Sequence, residues 1–78
     1  MDTFKIISKP GCPACTRAKQ ALTVRGFAYE EDLRDTPEGI AAFVEAGFRT
    51  FPQVWHGEQH IGGADQLVND YLPTLEDF

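Results

Sequence analysis

The feature that most constrains this chain is its pair of cysteines, Cys12 and Cys15, which are the only two in the sequence. Residues 3–8 are apolar enough for a buried strand, and the Lys-Pro-Gly of residues 9–11 predicts a turn. Pro13 suits the first position of a helix, because its fixed φ is helical and no N–H is needed there. The sequence therefore predicts a strand, a turn and a helix, with both thiols at the start of the helix.

Two thiols at this place favour thiol–disulfide chemistry. A helix N-terminus presents unpaired N–H groups and a partial positive charge of about half a unit. Both stabilise a thiolate, which is the reactive form of cysteine, so we expect the pKa of Cys12 to lie below its reference of about 8.5. Cys12 is predicted at the N-cap and is expected to be more exposed than Cys15, which lies nearly one turn inside the helix.

Length and composition predict one small globular domain. A chain of 78 residues has room for a single domain, and 42% hydrophobic residues can supply its core. Two cysteines cannot form the dense disulfide framework of small secreted proteins. The N-terminus shows no signal-peptide pattern, and no apolar run approaches the ~20 residues of a membrane span. We therefore expect a reducing, cytoplasmic setting and a monomer.

The charges are unevenly distributed along the chain. A net charge of −5 argues against partners such as nucleic acid or an anionic membrane. The cations concentrate near the cysteines, at Lys5, Lys9, Arg17, Lys19 and Arg25. The acids concentrate at residues 30–32, Asp35, Glu38 and the tail Glu76-Asp77. Two interpretations stay open: an uneven solvated surface, or a positive end that attracts an anionic thiol substrate.

Periodicity predicts three helices. The first runs from about Pro13 to Arg25 and ends at Gly26. The second is capped by Thr36-Pro37, carries an apolar stripe of Ile40, Phe43 and Val44, and ends at Gly47. The third is capped by Ala64 or Asp65 and stops at Pro73. Its core-facing residues are predicted to be Leu67, Val68, Tyr71 and Leu72.

Three further strands complete a βαβαββα order. Residues 27–33 predict an edge strand, and residues 53–56 and 58–61 predict a hairpin around Gly57. The first βαβ unit implies parallel strands joined by a right-handed crossover. An α/β fold with a four-stranded mixed sheet flanked by three helices follows. Sites in such folds lie beyond the carboxyl ends of parallel strands, where Cys12 is placed.

Three stretches give the chain a family resemblance. They are Lys9-Pro10-Gly11-Cys12-Pro13-Ala14-Cys15, Thr50-Phe51-Pro52-Gln53-Val54 and His60-Ile61-Gly62-Gly63-Ala64-Asp65. In this order and spacing the chain resembles the glutaredoxins, including their short bacterial and phage members. The resemblance implies a thioredoxin-like fold and one glutaredoxin domain over residues 1–78.

The resemblance also implies a glutathione site. Phe51–Pro52 would be a cis peptide bond whose preceding backbone pairs with the cysteinyl part of glutathione. The glutathione-contacting residues it implies are Lys9, Arg49, Thr50, Phe51, Pro52, Gly63, Ala64 and Asp65. Read without the resemblance, Pro52 opens a strand in trans, the glycines form a turn with a capping Asp65, and both cations are solvated.

Because Cys12 stands at the N-cap, is expected to be the more exposed thiol and has Lys9 nearby, we expect it to be the nucleophile. Cys15 then resolves the mixed disulfide, unless a second glutathione does so. Glutathione and its NADPH-dependent reductase would supply the electrons. One alternative is a glutaredoxin-like redoxin that serves ribonucleotide reductase and is recharged by thioredoxin reductase, a subgroup to which residues 26–27 and 47–49 are similar. Glutaredoxins reduce ribonucleotide reductase as well, so the two alternatives share a substrate.

A metal-binding protein is the distant alternative. Cys12 and Cys15 with His56 and His60 match zinc ligand types, but the ~40-residue gap exceeds the usual 12–15. An iron–sulfur cluster is disfavoured by Pro13, so no metal is expected. Four residues depart from the commonest glutaredoxin pattern: Ala14, Trp55, Ala64 and Gln66. Ala14 stands in place of a tyrosine and bears on glutathione affinity and redox potential.

Overall fold

A computed structural model describes residues 3–75, whose four strands form one mixed sheet in the order β2-β1-β3-β4. The strands are β1 (Phe4–Ser8), β2 (Tyr29–Leu33), β3 (Gln53–His56) and β4 (Gln59–Gly62). The β1–β2 pair is parallel, while β1–β3 and β3–β4 are antiparallel. The predicted α/β fold, mixed sheet and edge position of β2 are confirmed. The acidic tail, Glu76-Asp77, lies outside the described residues.

Helix α1 (Pro13–Val24) begins and ends as its sequence predicts. Cys12 is the N-cap residue, with an extended backbone, and proline follows it at the first helical position. Gly26 has a φ of 78°, and its N–H and that of the next residue donate to Thr23 and Leu22 at 3.0 Å each. This pattern satisfies the last carbonyl groups of the helix, and only glycine adopts it without strain.

The core lies between the central strands and the helices that cover them. Every residue of β1 except Lys5 is buried, since this strand is paired on both edges and covered on both faces. Its main cluster joins β1, α1, β3 and the C-terminal helix through Phe4, Ile6, Ala18, Leu22, Val54, Ala64, Leu67 and Leu72. The strand that ends at Ser8 is thereby held rigidly just before the cysteine turn.

Helix α2 (Pro37–Glu45) is capped as predicted but buries less than its apolar stripe suggests. The Thr36 hydroxyl accepts the Gly39 N–H at 3.0 Å. Phe43 is 2% exposed, whereas Ile40 is 38% and Val44 57% exposed. Of the three residues in the predicted apolar stripe, only Phe43 is buried. Ile40 and Val44 lie about 60° and 100° around the helix from Phe43. They therefore flank the face that packs against the rest of the protein, and Phe43 is the one buried residue of α2.

The C-terminal helix starts after Asp65, as predicted, but extends beyond its predicted end. It comprises a π-helical segment, Gln66–Tyr71, and the short helix α3, Leu72–Leu75. Pro73 therefore lies inside the helix and does not stop it. The Leu72 N–H donates to the Leu67 carbonyl five residues earlier, and this wider turn relieves the clash that a proline ring makes in an α-helix.

The side chains of this helix pack as predicted at two positions, since Leu67 and Leu72 are fully buried, while Val68 and Tyr71 are half-buried. Asp65 does not cap the helix with its side chain. None of the helices in the described part of the chain combines the length and apolar character of a membrane span.

Candidate active site

Cys12 and Cys15 form a disulfide at the N-terminus of α1, with their Cα atoms 5.2 Å apart. The Cys15 N–H points at the Cys12 sulfur over 3.2 Å. In the reduced protein this N–H would stabilise negative charge on Cys12, because a helix N-terminus favours anions. Cys12 is 9% exposed and Cys15 only 1%, as predicted. The outer sulfur is therefore the one that a substrate disulfide reaches first.

The segment before Pro52 faces Cys12 from across the sheet end. The Phe51–Pro52 peptide bond is cis, as the resemblance implies. The Cys12 sulfur lies 3.9 Å from the Phe51 carbonyl oxygen, although the two residues are 39 positions apart in the chain. The fold thus brings the half-buried Phe51 and the buried Pro52 beside Cys12, the candidate nucleophile.

Phe51 is held between a ring and a cation. Its side chain stacks on Phe43 with ring centroids 4.0 Å apart and planes 13° apart. The Lys9 ammonium lies 5.4 Å from the centroid of the Phe51 ring, within the range of a cation–π contact. The contact with Phe51 thus places Lys9, one of the predicted site residues, next to the disulfide. Its ammonium group adds positive charge there.

A groove of about 490 Å³ runs along the other side of the disulfide. Both cysteines and Lys9 line it, together with Lys19 of α1 and Glu31 of β2. Glu31 accepts hydrogen bonds from the Lys19 ammonium at 2.8 Å and from the buried Ser8 hydroxyl at 2.5 Å. These two donors, Lys19 first, hold the pKa of Glu31 below its ordinary value of 4.5.

This network predicts a pH-dependent stability. The pKa of Glu31 is lower in the folded than in the unfolded chain. The ionised carboxylate therefore stabilises the fold at pH values above its ordinary pKa of 4.5. The contribution is lost as pH falls through the folded-state pKa. We expect Glu31→Gln to lower the free energy of unfolding by about 1 kcal/mol at pH 7, because the hydrogen bonds it removes are partly exposed to solvent. At pH ~3 the same substitution should lower it by much less.

Urea unfolding at the two pH values measures this difference. Glu30→Gln, one position earlier on the other face of β2, is the control and should show a smaller change at pH 7. A Glu31→Gln difference that is equal at both pH values would contradict the network.

The Gly-Gly-Ala-Asp segment of residues 62–65, which the resemblance implies as a seat for a glutathione carboxylate, lies beside the cis proline. A side chain at Gly63 would meet the Gln66 amide oxygen at 3.2 Å and the Pro52 carbonyl oxygen at 3.6 Å. The Gly63 N–H donates to that Gln66 oxygen over 2.9 Å, so one donor of the seat already has an internal partner. The N–H groups of Ala64 and Asp65, in the first helical turn, have no helical carbonyl before them.

Asp65 is paired across the site rather than within its own helix. Its carboxylate accepts a hydrogen bond from the Arg17 guanidinium of α1, and both side chains are exposed. Sequence reasoning did not find this partner, because the two residues are 48 positions apart. This ion pair links α1 to the start of the C-terminal helix.

Arg49 and Thr50 are placed differently from one another. Arg49 is exposed and lines a separate groove of about 350 Å³ with Gly47 and Phe48. The carbonyl and hydroxyl oxygens of Thr50 accept from the Gln53 amide at 2.9 and 3.3 Å. Arg49 therefore lines a groove different from the one that the two cysteines line.

The two histidines are hydrogen-bonded to partners other than the cysteines. His56 is hydrogen-bonded to the Tyr71 hydroxyl at 2.6 Å, and His60 to the Gln53 amide oxygen at 2.7 Å. Over residues 3–75 no group of three or more histidine, cysteine, aspartate or glutamate side chains is arranged to hold a metal ion. Phe43, Gln53, His60, Arg17 and Gln66 are the neighbours of the site that sequence reasoning missed.

Known proteins are similar to this chain in sequence. Residues 4–61 match the family model for glutaredoxin. A glutaredoxin of Pseudomonas aeruginosa is 43% identical over 69 residues, which cover 86% of this chain and 82% of that protein. A hybrid peroxiredoxin of Haemophilus influenzae, hyPrx5, is 40% identical over 67 residues, covering 85% of this chain but only 28% of that protein.

Solved structures agree with the family match. Glutaredoxin 1 from Francisella tularensis, complexed with cacodylate, superposes with a TM-score of 0.85 at 27% identity, covering 99% of this chain and all of that one. A buckwheat glutaredoxin–glutathione complex gives 0.74 at 27% identity, with 97% and 78% covered. The glutaredoxin-like NrdH-redoxin from Escherichia coli, described as having a thioredoxin-like activity profile, gives 0.69 at 30% identity, with 86% and 91% covered. With its Cys12–Cys15 pair at the head of α1 and its cis proline beside them, the chain belongs to the glutaredoxin family of thiol–disulfide oxidoreductases.

Proposed function

We propose that this protein is a glutathione-dependent oxidoreductase that reduces protein disulfides and glutathionyl mixed disulfides. The observation that carries the proposal is the Cys12 sulfur, the more exposed of the pair, lying 3.9 Å from the backbone that precedes the cis proline. A substrate disulfide at Cys12 would have hydrogen-bonding backbone next to it. Positioning of this kind accelerates exchange without further chemistry from the protein.

The exchange proceeds in two balanced steps. The Cys12 thiolate attacks one sulfur of the substrate, so that a Cys12–substrate disulfide forms and the other substrate sulfur leaves as a thiolate. The Cys15 thiolate then attacks the Cys12 sulfur, which releases the second substrate thiolate and forms the Cys12–Cys15 disulfide. Two electrons pass from the dithiol to the substrate. Two glutathione thiolates reverse these steps and leave as oxidised glutathione.

Four features support glutathione as the reductant. Lys9 adds positive charge beside Cys12, which suits an anionic thiol. The N–H groups of Ala64 and Asp65, at the first turn of the C-terminal helix, suit a carboxylate. The exposed Asp65 carboxylate suits an ammonium group, although Arg17 now occupies it. A related buckwheat protein has been solved in complex with glutathione.

A redoxin recharged by thioredoxin reductase is the second candidate. The likeness to NrdH-redoxin, with 91% of that chain covered, favours it. So do the internal partners of Gly63 and Asp65, which a glutathione molecule would have to displace. Both candidates would accept a protein disulfide such as that of ribonucleotide reductase, so the reductant distinguishes them. The absence of a membrane-spanning helix over residues 3–75 agrees with a proposed cytoplasmic location.

NADPH oxidation in two parallel assays tests the proposal. One contains glutathione and glutathione reductase, the other thioredoxin reductase alone, and each receives the protein with a small disulfide substrate. We expect the glutathione assay to run at least about tenfold faster than the thioredoxin reductase assay. Cys12→Ser gives the background rate in both. Turnover with thioredoxin reductase alone would refute glutathione dependence and support the second candidate.

A further inference from the structure

We propose that Gln53 and His60 are positioning residues, which aim the Phe51 N–H at the substrate disulfide by holding the Thr50 carbonyl. Neither belongs to the site that the sequence predicts. The inference rests on the proposed thiol–disulfide exchange at Cys12, but it does not depend on glutathione being the reductant.

The directions of the hydrogen bonds around Gln53 follow from its amide. The Gln53 nitrogen Nε2 lies 2.9 Å from the Thr50 carbonyl oxygen, which only accepts, so Nε2 is the donor. Its oxygen Oε1 therefore faces His60 Nε2 at 2.7 Å and must accept. The His60 ring consequently carries a proton on Nε2. His60 therefore donates to Gln53, and Gln53 donates to Thr50. We call these two hydrogen bonds the relay.

Gln53 and His60 are each held in place by their surroundings. Gln53 is 7% exposed, so an unpaired amide there would be costly. The His60 ring contacts the only tryptophan, Trp55, with ring centroids 4.7 Å apart, and Phe48 at 5.7 Å. Trp55 and Phe48 also meet edge to face at 5.5 Å. These contacts with Phe48 and Trp55 therefore restrict the orientation of the exposed His60 ring.

The relay ends on the peptide unit that presents the Phe51 N–H. The Thr50–Phe51 bond is trans, since the one cis bond of the described backbone follows Phe51. In a planar trans unit the C=O and N–H point in opposite directions. Because Gln53 holds the Thr50 carbonyl on the β3 side, the Phe51 N–H points away from Gln53. The Phe51 carbonyl, at the next peptide unit, lies 3.9 Å from the Cys12 sulfur.

Loss of the relay should misalign this peptide unit, and a displacement of about 1 Å can cost up to a hundredfold in rate. We expect Gln53→Glu to lower kcat/KM about tenfold, mainly through KM, because a carboxylate still accepts from His60 but cannot donate to Thr50. His60→Leu should have a similar, smaller effect. His60→Gln, whose amide nitrogen reaches as far as Nε2, should stay within about threefold of the wild type.

Three measurements test the inference with reduced wild-type and variant proteins. Insulin reduction driven by dithiothreitol gives KM and kcat without glutathione, so failure of glutathione dependence leaves this test intact. Alkylation of Cys12 by iodoacetamide should be unchanged, since a small reagent needs no Phe51 N–H. Trp55 fluorescence should shift in His60→Leu, because its ring partner is gone. His56→Leu, which removes the other histidine of the hairpin and its bond to Tyr71, is the control.

The inference is overturned if His60→Leu matches His56→Leu in KM, or if His60→Gln is as impaired as His60→Leu. It is also overturned if alkylation of Cys12 slows in parallel with the rise in KM, since the relay would then act on the cysteine and not on substrate binding. Should Gln53→Glu fail to fold, the two exposed His60 variants still decide between these outcomes.

Discussion

Cys12→Ser should abolish turnover of every disulfide substrate, whereas Cys15→Ser should keep the reduction of glutathionylated substrates. The physical reason is the order of the two sulfurs, with Cys12 more exposed and Cys15 behind it in the core. Without Cys12 no mixed disulfide forms, and we expect a loss of at least about a thousandfold in kcat. Without Cys15 the mixed disulfide at Cys12 still forms, and a second glutathione can resolve it.

The glutathione-coupled NADPH assay measures both variants on a glutathionylated substrate and on a protein disulfide. Val24→Ser, on the exposed far end of the same helix, is the control and should behave as the wild type. Turnover by Cys12→Ser would show that Cys12 is not the nucleophile. Loss of both activities in Cys15→Ser would exclude the route through a second glutathione.

Phe43→Ala should destabilise the protein by about 3 kcal/mol and weaken substrate binding as well. Phe43 is buried, and removal of a buried phenylalanine ring leaves a cavity that costs ~3–5 kcal/mol. Such a loss is a large part of the ~5–15 kcal/mol that stabilises a whole domain. The ring also forms one face of the Phe51 stack, so the backbone beside Cys12 loses its support.

Urea unfolding and the KM for the substrate disulfide measure the two effects of Phe43→Ala. Val44→Ala, the next residue on the same helix, is the matched control because it removes an exposed side chain. We expect it to change the free energy of unfolding by no more than about 0.5 kcal/mol. Equal midpoints for the two variants would contradict the conclusion that α2 packs on the core through Phe43 and not through Val44.

Much of the fold follows from local rules in the sequence. Pro13 at the first helical position and Gly26 after the last one bound α1 correctly, because each depends only on backbone geometry within one turn. The Thr36 cap of α2 is equally local. The greater exposure of Cys12 than of Cys15 followed from their positions along a single helix. Alternation and turn residues predicted the hairpin, with its second strand placed one residue early.

The sequence could not predict which side chains converge on these elements. The apolar stripe of α2 did not distinguish Phe43 from Ile40 and Val44, since burial depends on what the sheet places opposite. Pro73 carries an ordinary stop signal, yet the helix continues because a π-helical turn precedes it. These outcomes depend on the packing of residues far apart in the chain.

By itself, the sequence determined the βαβαββα order, the position of Cys12 at a helix N-cap and the family to which the chain belongs. The tertiary structure alone decided the surroundings of Cys12: Phe51 held between Phe43 and Lys9, and the relay from His60 to Thr50. The physical reason is the range of the interactions. Caps, turns and periodicity act within a few residues, whereas packing and hydrogen-bond networks form only once the sheet has brought distant segments together.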